Sequence, residues 1–243
     1  MNKKITILVI VLLLFGVLLS GCRKQYTPRP EVEQYLNSGL TAEKSFEKIA
    51  ECNYTSSVTV QNKNGSEQGK QTNKVSFNVT DKENLLLVME QTFSGSYVEN
   101  GVTEQFVTLS KQDGKYIYSI ETNVTSQNKK RQVDAEFALD LITALVYTDN
   151  GAYDNGGLYY GDNFMLSIYK YPPESFRLDT ESDLCVFDEK MLIIHDRIGK
   201  VRLYQTTKIN RLGLLEYDYE KYVGEDSDQI VISEVIARYK YVN

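Results

Sequence analysis

The sequence predicts a mainly β protein with a few helices (α+β): a curved antiparallel sheet or half-barrel, with helices packed on its concave side. Three observations predict it. From Tyr54 onward most apolar residues alternate with polar ones, the period of strands with one buried and one wet face. Turn dipeptides such as Asn64-Gly65, Asp113-Gly114 and Ile198-Gly199 recur between those runs. The composition is 42% hydrophobic with 18 Tyr and no Trp, which favours pleated surfaces built with amphipathic aromatics. Helical periodicity precedes or interrupts blocks of strands and never alternates with single strands, so a βαβ parallel sheet is excluded. A chain of 243 residues fits one all-β domain, placed at residues 31–243.

The first elements are helical. Pro30 suits the first turn of a short helix through Leu36, with Asn37-Ser38-Gly39 ending it. Thr41 is an N-cap for a second helix whose stripe of Ala42, Phe46, Ile49 and Ala50 should lie on a sheet. From Tyr54 the period becomes two: Val58 and Val60 form one strand, then Val75, Phe77 and Val79 the next, with a long polar link from Gln61 to Asn73 between them. Leu85 to Met89 is continuously apolar and reads as a central strand covered on both faces. Phe106 to Leu109 and Tyr116 to Ile120 pair across Asp113-Gly114.

One long interruption follows. From Gln132 to Thr148, Phe137, Ala138, Leu141, Ile142 and Leu145 mark a helical face, and Asn150-Gly151 is its stop. A helix this apolar must be covered, so it should cross the concave side of the sheet. Asp149 to Gly157 forms a Gly- and Asn-rich loop. Beyond it the β-rich runs are Tyr159–Tyr171, Leu184–Phe187, Met191–His195, Val201–Ile209, Leu214–Tyr222 and Ile230–Tyr241. Pro172-Pro173 stops the first, and Asn210 to Gly213 and Gly224 to Asp228 separate later ones.

The N-terminus carries an address. Lys3 and Lys4 precede a nearly unbroken apolar run from Ile5 to Leu19, which is short of the roughly 20 residues that span a bilayer. The run ends in Leu19-Ser20-Gly21-Cys22. Leu, a small residue, Gly and Cys in that order resemble the lipobox of bacterial type II signal peptides. That resemblance implies cleavage after residue 21, acylation of Cys22 and palmitate-type chains that anchor the mature protein on the extracytoplasmic face of the cell membrane. Residues 22–30, with Pro28 and Pro30, read as the tether.

Charge and cysteines narrow the partners. The formal net charge is −6, and loss of Lys3 and Lys4 with the signal makes the mature chain more acidic still, which argues against a nucleic-acid partner. Of the three cysteines, the lipobox resemblance assigns Cys22 to the lipid, which would leave Cys52 and Cys185. Export permits a disulfide between them, and the alternative is two small buried thiols.

The short Glu- and Lys-bearing helix within Thr41 to Val60, followed by Asn53-Tyr54-Thr55-Ser56-Ser57-Val58-Thr59-Val60, resembles the opening of LolA-like and LppX-like lipoprotein domains. The resemblance lies in element order and involves no diagnostic motif. It implies a curved sheet lined by helices whose hollow takes up acyl chains or other apolar ligands.

Catalytic chemistry finds little support. His195 is the only histidine, and no Gly-x-Ser-x-Gly elbow accompanies it, so a hydrolase ranks last. One His and two distant Cys serve zinc poorly. The loop from Asp149 to Gly156 has the composition of a calcium site, but its oxygens miss the alternating positions an EF-hand needs. No phosphate-cradling glycine loop is present, and no cofactor is expected. The expected function is a non-enzymatic, membrane-anchored binder of a lipid or other apolar ligand held between sheet and helix. Phe137, Leu141, Leu145, Tyr159, Phe164, Tyr169 and Tyr171 are its candidate lining. The alternative is an envelope module that binds another protein and no small ligand.

Overall fold

The computed structural model describes residues 25–37, 41–81, 83–146, 157–195 and 198–242. Two short helices, α1 (Pro30–Leu36) and α2 (Ala42–Phe46), lead into six strands: β1 (Ile49–Asn62), β2 (Glu67–Asn78), β3 (Leu85–Gly95), β4 (Glu104–Gln112), β5 (Lys115–Thr122) and β6 (Lys129–Val133). Helices α3 (Ala135–Ala144) and α4 (Gly161–Ser167) follow. Five more strands follow among the described residues: β7 (Phe176–Asp179), β8 (Leu184–His195), β9 (Gly199–Ile209), β10 (Leu215–Gly224) and β11 (Gln229–Tyr241).

All eleven strands form one curved, unclosed antiparallel sheet in the order β6-β5-β4-β3-β2-β1-β11-β10-β9-β8-β7. It is two meanders joined where β1 pairs with β11, in continuous register from Glu51↔Lys240 to Asn62↔Gln229. Local turn chemistry explains the sequential pairings. At the β4–β5 turn, Asp113 and Gly114 both have positive φ (49° and 76°), the primed geometry whose twist matches paired strands. The β1/β11 pairing instead joins the two ends of the domain and depends on the whole sheet.

The helices lie on the concave face. Ala138, Ile142 and Val146 of α3 and its last turn are no more than 4% exposed, packed with Val75, Phe77, Leu87 and Leu109 of β2 to β4. Asp134 caps this helix, its carboxylate accepting from the Phe137 N–H at 2.8 Å. A second cluster joins Val32 and Tyr35 of α1, Phe164 and Ile168 of α4 and its following turn, and Phe176, Phe187 and Ile209 of the sheet. Its rings are tilted or edge-on, with Phe164 6.3 Å from Phe176 and Phe176 4.9 Å from Phe187. Near the opposite end of the strands, Val201, Leu203 and Tyr222 form a third cluster.

Several expectations are corrected. Ile49 and Ala50 begin β1 and do not extend α2, because Ile49 pairs with Tyr241 and is fully buried in the sheet core. Most of the polar link from Gln61 to Asn73 belongs to β1 and β2, whose pairing runs from Glu51↔Asn78 to Gln61↔Glu67. Its polar side chains hid a strand. Leu85 to Met89 is not covered on both faces: a bulge between Leu85 and Leu87 buries Leu86 and leaves Leu85 45% exposed. Gln132 and Val133 belong to an unexpected strand, β6, paired with β5, and the helix begins only at Ala135.

Tyr159–Tyr171 is not a strand. Gly161, Asp162 and Asn163 disfavour extended pairing, and Phe164 and Ile168, four apart, bury one face of α4. Leu184–Phe187 and Met191–His195 are one strand, β8, because Asp188 on the outer face accepts from Thr206 at 2.7 Å and Glu189 on the inner face from Ser175 at 2.6 Å, so both carboxylates find partners without ending the strand. The Asn150-Gly151 stop and residues 149–156 of the proposed loop lie outside the described residues.

Candidate functional site

The sheet register builds a banded concave surface. Nearest the α3 cluster, Val107, Met89, Val75, Tyr54 and Ala237 make an apolar row across β4, β3, β2, β1 and β11. The next row is polar over its first half: Gln105, Gln91, Asn73 and Ser56 stand opposite one another on β4, β3, β2 and β1. It continues through Val235, Asp218 and Thr207 to Phe187 and Phe176. One residue pair further along lies a second mixed row, with Gln71, Ser233, Glu220, Gln205 and Glu189. Beyond it come Val60, Val231, Tyr222, Leu203 and Met191, apolar again. A polar belt two residues deep therefore crosses the hollow. The first apolar row lies beside it on β4 to β1 and β11, and the second beyond it on β1, β11, β10, β9 and β8, while on β2 and β3 its far side is Gly69 and Gly95.

In the β1–β4 half the belt is a chain of amides. Gln105 Nε2 donates to Gln91 Oε1 at 2.6 Å, Gln91 Nε2 to Asn73 Oδ1 at 2.9 Å, and Asn73 Nδ2 to Ser56 Oγ at 2.9 Å. Gln71 Nε2 adds a second donor to Asn73 Oδ1 at 3.3 Å. Asn73 is 5% exposed, so the ladder satisfies a polar group that would be costly to bury alone.

In the β8–β10 half the belt carries carboxyls. Asp218, 6% exposed, accepts from Thr207 Oγ1 at 2.6 Å, and Gln205 Nε2 donates to Thr207 at 3.2 Å. Burial, and then the Glu220 carboxylate on the same face, push the Asp218 carboxyl up to about 7, although hydrogen bonds from Thr207 and Gln205 favour its charged form. Glu220 accepts from the Tyr222 hydroxyl at 2.6 Å. Tyr160, at the start of α4, is close enough to both carboxyls that burial and then their charges hold its phenol protonated.

The start of α4 reaches this half because the β9–β10 turn has no side chain in its way. Gly213 has φ +69°, and a Cβ there would come within 2.9 Å of both Gly161 Cα and the Tyr159 ring. Tyr160 N–H donates to the Gly213 carbonyl at 2.8 Å. Beside this contact is a cavity of about 160 Å³ lined by Tyr35, Tyr159, Asp162, Met165 and Arg211. It is smaller than the roughly 300 Å³ at which ligand pockets begin, and its Arg211 is paired with Asp183 at 2.7 Å. A hollow of about 350 Å³ on the outer face includes Asn53, Lys74, Glu90 and Arg238, with Lys74 and Glu90 3.9 Å apart.

The seven candidate lining residues do not share one wall. Phe137 packs edge-on to Tyr118 at 5.8 Å beneath Arg131, while Leu141 and Leu145 are partly buried against the α3 cluster. Tyr159 is 5% exposed and its hydroxyl faces Asp162 at 3.3 Å. Phe164 and Tyr171 belong to the aromatic cluster, Tyr171 lying 5.1 Å from Phe187. Tyr169 is 38% exposed and donates to Glu33 at 2.5 Å.

Cys52 and Cys185 are buried free thiols, on β1 and β8, in different clusters. Four strand spacings of about 4.8 Å separate their strands, beyond the roughly 7 Å a disulfide can span. The bridge left open by the sequence does not form in this structure. Burial pushes the Cys185 thiol up to about 12 and that of Cys52 higher still. His195 ends β8 opposite Gly199, and Cys22 lies outside the described residues. Among the described residues no group of three or more His, Cys, Asp or Glu is arranged to hold a metal, and no helix is long and apolar enough to cross a membrane.

Sequence reasoning missed the belt. Its trace was present in Gln71 and Asn73, and in Asp218 and Glu220, two apart and so on one face of a strand. Their alignment into rows needs the register of the separate strands.

No protein-family model matches the sequence, and no curated protein matches it. Among solved structures, the chain is similar to a DUF1329 family protein from Desulfovibrio piger, with 6% identity over 88% of this chain and 94% of that one, at a TM-score of 0.25. It is also similar to a β-barrel-like protein of domain DUF1849 from Brucella abortus, with 9% identity over 79% and 99% of the two chains, at a TM-score of 0.17. Likeness at these scores carries no argument about function.

Proposed function

We propose that this chain is a non-enzymatic lipoprotein, anchored through acylated Cys22 on the extracytoplasmic face of the cell membrane, that binds a lipid or other amphipathic ligand in the hollow of its sheet. The supporting observation is the banded concave surface, on which apolar rows lie next to a belt of amides and carboxyls. A ligand with an apolar body and a hydrogen-bonding group meets complementary chemistry in adjacent rows, because the amides and carboxyls of the belt can offer it a hydrogen bond beside apolar side chains. The half-buried belt, and not the space beneath α3, is the favoured place, because α3 packs directly on the sheet.

Mass spectrometry of protein extracted gently from its own membrane tests the reading. A lipid-sized species that copurifies and is lost on denaturation is expected. Absence of any such species, together with no uptake from lipid vesicles, sinks it. The same spectra report acyl chains on Cys22, and Cys22→Ser should release the protein from the membrane fraction.

The second reading is an envelope module that binds another protein. It is favoured by the β8 edge: β7 pairs only from Phe176↔Phe187 to Asp179↔Leu184, so Asp188 to His195 have no β7 partner. In-cell crosslinking at this edge that captures one reproducible partner, with no ligand in the hollow, would favour it.

A further inference from the structure

We infer that the α4 end of the domain is its membrane-facing surface, with Leu166 and Tyr169 seated in the headgroup layer of the bilayer beside the lipid on Cys22. The inference rests on the lipid-anchored reading proposed above and adds to it an orientation.

The chain sets the distance. Gln25, the first described residue, is three residues from Cys22, and an extended chain covers at most about 3.6 Å per residue. The anchor therefore holds Gln25 within roughly 11 Å of the acylated residue. The next residue is already docked: Tyr26 N–H donates to the Tyr169 carbonyl at 3.0 Å. Tyr169 in turn donates its hydroxyl to Glu33 of α1, so anchor side, α1 and the end of α4 move as one piece.

That piece presents what an interface accepts. Leu166 is 57% exposed and Tyr169 38%, three residues apart and so neighbours on one face. Phe164 and Ile168, on the opposite side of the same segment, are buried in the aromatic cluster, which fixes the exposed face rigidly. Tyrosine, with an apolar ring and a polar tip, suits the depth of lipid headgroups, and exposed Lys170, next to Tyr169 in the chain, adds a positive charge beside it. Leu192 and Ile194 are also exposed, at 55% and 84%, but at the other end of β8. Ile194 is seven residues along the strand from Phe187 of the cluster, about 23 Å at 3.3 Å per residue, and should stand clear of the membrane.

Two single-cysteine reporters in the full, lipidated chain on phosphatidylcholine and phosphatidylglycerol vesicles test this. Cys52 and Cys185 are buried with thiols held protonated, so a water-soluble environment-sensitive dye labels Leu166→Cys or Ile194→Cys selectively. Both sites are exposed, so neither change disturbs the core. The dye at 166 is expected to shift to shorter wavelength on vesicles and to resist an aqueous quencher several-fold better than the dye at 194. Equal quenching at the two sites, with acyl chains verified on Cys22, overturns the orientation and leaves the anchoring intact. An unmodified Cys22 overturns both.

Discussion

The two halves of the concave face bury polar groups by different means. From β1 to β4 the groups are neutral amides, each donating to the next, and Asn73 at the centre takes two donors and gives one. From β8 to β10 they are carboxyls, of which Asp218 is deep enough that its neutral form is favoured up to near neutral pH. Both halves satisfy their hydrogen bonds. Only the second couples folding to protons, because an amide has no charge to lose water around and a carboxylate does.

The largest expected effect comes from Asp218. Its folded pKa, about 7, lies above the ordinary carboxylate value of 3.8, so the native state holds a proton that the unfolded chain releases. Its contribution is fully present below about pH 4 and is lost as pH rises through 7. Over that window the loss is on the order of 4 kcal/mol at about 1.4 kcal/mol per pKa unit. Asp218→Asn should abolish this slope, so that urea melts of variant and parent converge at pH 4 and diverge at pH 8 in the variant's favour. Parallel curves would mean that the carboxyl is not the source of the difference between the halves.

Asn73→Ala probes the other half. It removes the shared partner of Gln91, Gln71 and Ser56, and should cost about 1–3 kcal/mol. Because no charge is involved, the cost should be the same at pH 5 and pH 8, and a pH-dependent loss would erase the contrast drawn above.

The outer face supplies the smallest effect. Lys74–Glu90 beside the amide half and Arg177–Asp188 beside the carboxyl half are both exposed ion pairs. Double-mutant cycles on each should return no more than about 1 kcal/mol, falling with added salt. A larger coupling on one side would show that the asymmetry extends through the sheet.

Much of the fold was legible locally. Asn64-Gly65, Asp113-Gly114 and Ile198-Gly199 do lie at hairpin turns, since few residues tolerate positive φ and the structure uses Gly65, Gly114 and Gly199 in that way. Thr41 was also readable as a cap, its hydroxyl accepting from the Lys44 N–H. Where polarity and propensity conflicted with context the reading failed. β2 looked like a link because half of its inward positions are Gly, Gln and Asn, and α4 looked like a strand because aromatics serve either element.

The candidate lining was less legible than the strands. Phe137, Leu141, Leu145, Tyr159, Phe164, Tyr169 and Tyr171 were chosen by chemical type, and type does not say which wall a side chain joins. The sequence by itself determined the antiparallel character and the turn positions, because each depends on residues a few places apart. Only tertiary structure decided that β1 pairs with β11 and that Gln105, Gln91, Asn73, Ser56 and Asp218 share a row. It also decided that Cys52 and Cys185 lie too far apart to bond. The reason is that a strand's own period assigns a residue to a face, while its neighbours on that face are set by register with strands far away in the chain.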